Sequence, residues 1–221
     1  HNPNCKYVLA PTAWTTPGPA RTRWSRTDAG GIPDQRRGDG AGRRYMKEGD
    51  DRAGGVRLHR GPVRRRGVRL HGFLPIVSYG AHAADPHHEA DQTRLKAGDC
   101  IVIDMGCRKD RYCSDMTRTF FCKTADPKYA AIHDLVRSAN EIAEGMIRPG
   151  IPLRELDIAA REHIASAGYG EYFTNRLGHF IGQTEHEKGD VSAVTELVAK
   201  PGMIFSIEPG VYLPGQFGVR V

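Results

Sequence analysis

The order of apolar and polar positions divides the chain into an unpatterned part, residues 1–72, and a patterned part, residues 73–221. In the patterned part, two runs rich in apolar, β-branched and aromatic residues, CIVIDMGC (100–107) and YCSDMTRTFFC (112–122), flank the polar turn RKDR. Two such runs on either side of a short polar turn predict a β-hairpin.

Two helices are predicted after this hairpin. Asp126 can cap the first helix, Pro127 suits its first position, and apolar residues then recur at helical spacing as far as Met146. The second helix is predicted from about Pro152 to Ala167, with Gly168 as its C-terminal stop.

A second hairpin is predicted near the end of the sequence. Its strands are MIFSIEPGVYL (203–213) and FGVRV (217–221), which turn at PGQ, and a loop that carries His179 and His186 precedes them. The order is strands, two helices, then strands, without strict alternation, and it predicts an α+β fold.

Residues 1–72 also differ from the rest of the chain in charge. They carry 16 Lys and Arg against 6 Asp and Glu, a net charge of +10, whereas residues 73–221 carry 16 against 20, a net charge of −4. Low hydrophobicity with a high net charge of one sign predicts disorder. Translation in a wrong reading frame is the preferred interpretation of this Arg/Gly-rich segment. A disordered tail and a basic arm that binds nucleic acid are the alternatives.

The remaining composition points to a soluble protein. The five cysteines form no C-x-x-C pair, and no run of eighteen apolar residues or charged-then-apolar leader occurs. We therefore expect reduced, buried thiols and a cytoplasmic location. Because the chain begins at His1 and ends at Val221 inside a patterned strand, we interpret it as a fragment of a longer protein.

The first hairpin places two aspartates close together. If its turn is centred between Lys109 and Asp110, Asp104 lies directly opposite Asp115. Two like charges in that position destabilise a strand pair unless a cation lies between them. The alternative is that one or both aspartates lie on a solvent-exposed face, although Asp104 shares its face with the apolar Val102.

Further ligand-type residues occur later in the sequence. Glu208 is a lone carboxylate in an apolar strand, just before Pro209. The stretch GHFIGQTEHE (178–187) contains His179 and His186, for which three interpretations are open: a metal site, a proton-transfer pair or two unrelated imidazoles. Three carboxylates with one or two imidazoles suit manganese, iron or cobalt, and to a lesser degree zinc.

The motifs IDMGC…SDMTRTF, RLGHFIG…EH and MIFSIEPGVYLPGQFGVRV resemble the pita-bread-fold metallopeptidases, and most of all their Xaa-Pro aminopeptidase and dipeptidase branch. The resemblance covers about residues 73–221 and implies an α+β pita-bread fold that is incomplete at both ends. It implies that two divalent metal ions, Mn most of all and otherwise Co, Fe or Zn, bind to Asp104, Asp115, His179 and Glu208.

The resemblance also implies catalytic roles. Glu208 would take the proton of the metal-bound water, His87 in DPHHE would contact substrate near the scissile bond, and His186 would hydrogen-bond the substrate carbonyl or the tetrahedral intermediate. A metal-bridged hydroxide would then hydrolyse the Xaa-Pro bond at peptide N-termini. The fifth family ligand is a glutamate directly after the position of Val221, so we expect the chain as given to bind metals poorly.

The expected partners are peptides with proline at the second position, and a homodimer is a further expectation. Neither nucleic acid nor a membrane is expected. Methionine aminopeptidase, a metal-free creatinase-like enzyme and a metal-free pita-bread binding protein are the alternative functions. Among the other histidines, His133 and His163 are expected on solvent-facing helix positions, and His82 and His88 near His87.

Overall fold

The structure is a computed structural model that describes residues 13–15, 69–70, 75–85, 92–109 and 111–221. His87 and His88, and with them the predicted substrate contact, lie outside the described residues. Among the described residues, no helix combines the length and the apolar character that are needed to cross a membrane.

The described elements are strands followed by two helices and further strands, and this order confirms the predicted α+β class. The strands are β1 (Ala13–Thr15), β2 (Arg69–Leu70), β3 (Ile76–Tyr79), β4 (Cys100–Lys109), β5 (Tyr112–Phe121), β6 (Gly178–Phe180), β7 (Glu187–Val191), β8 (Ile204–Ser206), β9 (Gly210–Leu213) and β10 (Phe217–Arg220). The helices are α1 (Pro127–Met146) and α2 (Leu153–Ser166), with short 3-10 turns at Gly80–Ala84 and Gly170–Tyr172.

The described strands form two four-stranded sheets and one separate hairpin, and all their pairings are antiparallel. The order in one sheet is β1-β8-β6-β7; in the other, β2 and β3 pair with β4, and β5 pairs with β4 as well. The strands β1 and β2 belong to the segment that was predicted to be disordered. In the structure β1 pairs with β8 and β2 pairs with β4, whereas the disorder of residues 1–72 as a segment stays a prediction.

The first hairpin forms from β4 and β5, but its register differs from the predicted one. Asp104 lies opposite Thr117, and Asp115 lies opposite Gly106. The two aspartates are therefore diagonal neighbours, at a typical Cβ separation of about 7–8 Å, and are not directly opposed. Because the difference is an even number of residues, both aspartates still lie on the same face of the sheet.

The turn of this hairpin explains the difference in register. Its last pair is Lys109 with Tyr112, so the turn is centred one residue later than predicted. Arg111, the second residue of the two-residue loop, has a φ of 73°. A positive φ at the second loop residue is one of the two that a type I′ hairpin turn requires.

Both helices have the predicted capping residues. The side chain of Asp126 accepts a hydrogen bond from the Lys128 backbone N–H at 2.8 Å, and Pro127 is the first residue of α1. At the end of α2, Gly168 has a φ of 84°, which favours glycine.

Hydrophobic side chains lie on both faces of the first hairpin. On one face, Val102 belongs to the main core, which also contains the apolar faces of α1 and α2. On the other face, Ile101 and Ile103 pack in a second cluster with Tyr79 and Leu95. Burial of apolar surface on both faces stabilises the hairpin and leaves no wet side on which Asp104 could be solvated.

The second predicted hairpin forms from β9 and β10, with Gly215 at a φ of 71° in its turn. However, the predicted continuous strand over residues 203–213 is wrong. It is divided into β8 and β9, which lie in different sheets, and residues 207–209 between them belong to neither. Pro209 has no N–H for a ladder, and the Glu208 N–H donates instead to the Leu177 carbonyl at 2.7 Å.

Two glycines allow close backbone approaches around this break. A Cβ atom on Gly178 in β6 would collide with the backbone carbonyl of Ser206 in β8. A Cβ atom on Gly218 in β10 would collide with the carbonyl of Ala83 in the first 3-10 turn. Glycine at position 178 lets β6 and β8 of one sheet approach closely, and glycine at position 218 lets β10 approach the 3-10 turn.

Three cysteines can be assessed among the described side chains. Cys100, Cys113 and Cys122 are buried and form no disulfide, in agreement with the predicted reduced thiols. Burial raises the pKa of Cys100 to about 11, so this thiol stays protonated at neutral pH.

Candidate metal centre

Both hairpin aspartates point toward the interior of the protein. Asp104 is only 7% exposed, and the side chain of Asp115 is 9% exposed. The alternative prediction, that one or both aspartates lie on a solvent-exposed face, is therefore wrong. Oδ1 of Asp104 is buried and has no hydrogen-bond donor among the described residues, which is costly for a carboxylate oxygen unless a cation is nearby.

The imidazole of His179 lies between two carboxylates. His179 is buried in β6, not in a loop as predicted. Its Nε2 atom is 3.2 Å from Asp115 Oδ2 and 3.2 Å from Glu208 Oε1. The Nδ1 atom is 3.1 Å from the Phe180 carbonyl oxygen. Because a carbonyl only accepts hydrogen bonds, Nδ1 is assigned a proton, and Nε2 is the nitrogen that a metal ion can use.

Glu208 lies in the break between β8 and β9. Its Oε1 atom accepts a hydrogen bond from Ser206 Oγ at 2.9 Å, and the same hydroxyl accepts the His179 backbone N–H at 2.9 Å. The amide of the buried Asn140 on α1 donates to the Ile207 carbonyl at 2.7 Å. The break is therefore fixed by polar contacts that direct the Glu208 carboxylate toward His179.

These residues provide a set of donors that suits a divalent metal. One ligand atom from each of Asp115, His179 and Glu208 lies within 4.8 Å of the other two. Carboxylate oxygens with one imidazole nitrogen are typical ligands of manganese, iron, cobalt and zinc. The donor set and the buried, donorless oxygen of Asp104 fit a metal centre.

Arg220 also forms part of this centre, although it was not among the predicted site residues. Its Nη2 atom forms an ion pair with Asp104 Oδ2, and its Nε atom donates to Thr117 Oγ1 at 3.0 Å and lies 3.9 Å from Glu208 Oε2. A charged residue in the apolar strand FGVRV was the only available signal. Its partner Asp104 is 116 residues away in the sequence.

The electrostatics of the centre follow from burial and from these contacts. Burial opposes a charge on His179, but hydrogen bonds with Asp115 and Glu208 outweigh it and raise the pKa of His179 to about 10. Burial acts to raise the pKa of Glu208, but His179 and Arg220 outweigh it and lower that pKa. Burial raises the pKa of Asp104, while Arg220 acts in the opposite direction.

His186 lies at the solvent side of the centre. It is exposed, and its ring centroid is 4.2 Å from that of His179. Partial burial, followed by repulsion from His179 and Arg176, lowers the pKa of His186. The structure thus brings the two histidines of the GHFIGQTEHE stretch together, although only His179 contacts the carboxylates in the described part of the site.

The expectation for the two helix histidines is wrong, because neither is fully solvent-facing. His133 is half-buried and packs edge-on against Phe121, with ring centroids 6.3 Å apart. His163 is also half-buried, and its Nε2 atom lies 2.7 Å from Ser138 Oγ. The packing of α1 against α2 and the hairpin covers both rings. His82 lies in the first 3-10 turn.

The buried carboxylate–imidazole centre in this α+β fold is typical of a metal-binding protein. A family model for metallopeptidase family M24 matches residues 52–221. The chain therefore belongs to metallopeptidase family M24, and its fold is the pita-bread fold of that family. The match includes residues 52–72; the division of the chain at residue 72 stays a prediction.

Relatives and solved structures agree with this assignment. The chain is 41% identical over 179 residues to an uncharacterized peptidase of Staphylococcus aureus (strain USA300), a match that covers 80% of this chain and 50% of that protein. The prolidase from Pyrococcus furiosus is 35% identical, with a TM-score of 0.82, and the match covers 86% of this chain and 56% of that one. The X-Pro aminopeptidase from Thermotoga maritima MSB8 is 30% identical, with a TM-score of 0.86, over 90% of this chain and 56% of that one.

The chain thus spans about half the length of the relatives that it matches. The family and the fold follow from the matches, whereas the activity of the whole protein is a proposal.

Proposed function

We propose that the protein to which this chain belongs is a metal-dependent aminopeptidase that hydrolyses the Xaa-Pro bond at peptide N-termini. One observation carries the proposal: in a member of family M24, the ligand atoms of Asp115, His179 and Glu208 converge within 4.8 Å. Similarity to a prolidase and to an X-Pro aminopeptidase supports substrates with proline at the second position.

Asp104, Asp115, His179 and Glu208 are the proposed metal ligands. When bound, two divalent ions, with Mn²⁺ as our proposed metal, would polarise the scissile carbonyl and lower the pKa of the attacking water. The mixed oxygen and nitrogen donors support manganese, cobalt, iron or zinc in this role.

The chain's own residues supply the proton transfers and the substrate contacts. Glu208 is ionised because His179 and Arg220 lower its pKa, so its carboxylate can accept a proton from the attacking water. Ser206 orients that carboxylate through a hydrogen bond of 2.9 Å. His186 is exposed beside the centre, and its ring N–H would donate to the developing oxyanion. His87 stays a proposed substrate contact.

Peptide specificity tests this proposal against its nearest rival, methionine aminopeptidase. The whole protein, supplied with Mn²⁺, should release alanine from Ala-Pro-Ala and should leave Met-Ala-Ala uncleaved. A comparison of Ala-Pro-Ala with the dipeptide Ala-Pro separates aminopeptidase from dipeptidase activity. Hydrolysis that persists after metal chelation, or that is unchanged by Asp115→Asn, would contradict the proposal.

Three further features stay predictions: the identity of the metal, the cytoplasmic location and a homodimer. Metal analysis of the purified protein, fractionation of cells and sedimentation of the protein test them in turn.

A further inference from the structure

A buried ion pair on α2 lies beside the segment that leads into the candidate metal centre. Asp157 is fully buried, and Arg161, one helical turn later, is partly exposed. The Nε atom of Arg161 is 2.6 Å from Asp157 Oδ2, and its Nη2 atom is 3.2 Å from Oδ1. Both oxygens of the carboxylate thus face the guanidinium, a geometry that is stronger and more directional than a simple charge pair.

This ion pair also binds the backbone of residues 173–177. Arg161 donates from Nη1 to the Phe173 carbonyl at 2.7 Å and from Nη2 to the Asn175 carbonyl at 2.6 Å. Asp157 Oδ1 accepts the Leu177 backbone N–H at 2.9 Å. Every second residue of the segment is therefore held by the same pair.

The guanidinium carbon of Arg161 also lies 4.2 Å from the centroid of the Phe173 ring. This cation–π contact fixes the plane of the guanidinium. A lysine could keep the positive charge, but it could not reproduce the planar fork of donors that reaches two carbonyls and a carboxylate at once.

The segment connects directly to both sides of the candidate centre. The Leu177 carbonyl accepts the Glu208 backbone N–H at 2.7 Å, and Asn175 Nδ2 donates to the Glu208 carbonyl at 3.3 Å. Leu177 also precedes His179 by two residues along the chain. The backbone of Leu177 is thus hydrogen-bonded through its N–H to Asp157 and through its carbonyl to Glu208.

We propose that Asp157 and Arg161 are positioning residues that set the spacing between His179 and Glu208 through residues 173–177. This inference rests on the proposed function, because those two residues are proposed metal ligands. Contacts outside the ligand shell commonly change metal affinity by about 10- to 100-fold, since they fix the orientation of the ligands.

The decisive experiment compares Arg161→Lys with a matched control, Arg137→Lys. Arg137 also pairs with an acid four residues away, because its Nη1 atom is 2.7 Å from Glu141 Oε1, but it lies on α1. For both variants and the unchanged sequence, each made in the whole protein, we would measure the Mn²⁺ dissociation constant, the melting temperature and the hydrogen exchange of peptides covering residues 173–181 and 206–209.

Arg161→Lys should weaken Mn²⁺ binding about tenfold or more and speed exchange of the Leu177 and Glu208 amides, with a melting temperature close to that of the control. Asp157→Asn keeps an acceptor for the Leu177 N–H but weakens the ion pair with Arg161. Its Mn²⁺ affinity should lie between the affinities of Arg161→Lys and Arg137→Lys. If Arg161→Lys does not fold, this second variant decides the question.

An Mn²⁺ affinity within twofold of the control, or faster exchange that is confined to α2, would overturn the inference. If the unchanged whole protein binds no Mn²⁺, the proposed function is contradicted, and the exchange of the Glu208 amide then decides the positioning role alone. Faster exchange there in Arg161→Lys supports the role, and unchanged exchange overturns it.

Discussion

The two halves of the candidate centre carry their positive charge in different ways. In one half, His179 lies between Asp115 and Glu208, each 3.2 Å from its Nε2 atom. In the other half, the guanidinium of Arg220 forms an ion pair with Asp104. An imidazolium can lose its proton to solvent and then bind a metal ion through the freed nitrogen lone pair, whereas a guanidinium stays charged and has no lone pair to donate.

This difference indicates that the two halves contribute differently to metal binding and to stability. Without a metal, each buried carboxylate already has a cation nearby, which explains how so many acids are tolerated in the interior. A metal ion at the His179 half would replace a proton at little electrostatic cost. At the Asp104 half, Arg220 would remain as a fixed positive charge. We therefore expect the His179 half to bind metal more tightly and the Arg220 half to contribute more to stability.

The largest expected effect is on stability and belongs to the Arg220 half. Arg220→Met removes the cation from the buried Asp104 and should lower the free energy of unfolding of the metal-free chain by about 3–5 kcal/mol. Urea denaturation measures this change, and Arg220→Lys, which keeps the charge, should cost less. Equal losses in the two variants would show that packing of the side chain, and not its charge, is what matters.

The next effect is on metal affinity and belongs to the His179 half. His179→Ala removes the proposed nitrogen ligand and should weaken Mn²⁺ binding by more than about 100-fold, beyond the usual effect of residues outside the ligand shell. Isothermal titration calorimetry measures this loss. His163→Ala, which removes a histidine beside Ser138, serves as the control. Near-normal affinity in His179→Ala would remove this residue from the ligand set.

A third effect separates the two histidines of the 178–187 stretch. His186→Ala should lower kcat of the whole protein by about 100-fold while its metal content stays near normal, because His186 is proposed to contact substrate and not metal. Steady-state kinetics combined with metal analysis of the same sample tests this division. Loss of metal from His186→Ala would show that the two roles have been assigned in the wrong order.

The smallest effect lies outside the centre and concerns pH. Burial, with a further contribution from Arg137, lowers the pKa of His133 below its ordinary value of 6.5 in the folded chain. The unfolded chain therefore binds the proton more readily, so stability is retained above pH 6.5 and is lost as pH falls below that value. His133→Phe should reduce this loss in urea titrations at several pH values. An unchanged pH dependence would contradict the burial of a neutral ring.

The regular elements near the centre could be predicted because their signals are local. The apolar runs of β4 and β5, the cap at Asp126 and the stop at Gly168 are each encoded within a few residues. The hairpin register could not be predicted from RKDR, because the left-handed conformation of Arg111 is a property of the folded turn. Because the predicted register differed from the real one by an even number of residues, Asp104 and Asp115 were still correctly predicted on one face of the sheet.

The parts of the centre that depend on contacts between residues far apart in the sequence could not be predicted. Arg220 is held by Asp104, Thr117 and Thr119, which are more than 100 residues away in the chain. The strand break that places Glu208 is fixed by Asn140 on α1 and by the Leu177 carbonyl. Periodicity and capping rules describe neighbours along the chain, and they cannot anticipate contacts of this kind.

The most direct test of the proposed metal centre is anomalous X-ray scattering from a crystal of the whole protein grown with Mn²⁺. We expect an anomalous peak between Asp115 Oδ2, His179 Nε2 and Glu208 Oε1, at coordination distance from all three atoms. Mn²⁺ bound elsewhere, with His179 still hydrogen-bonded to both carboxylates, would contradict it.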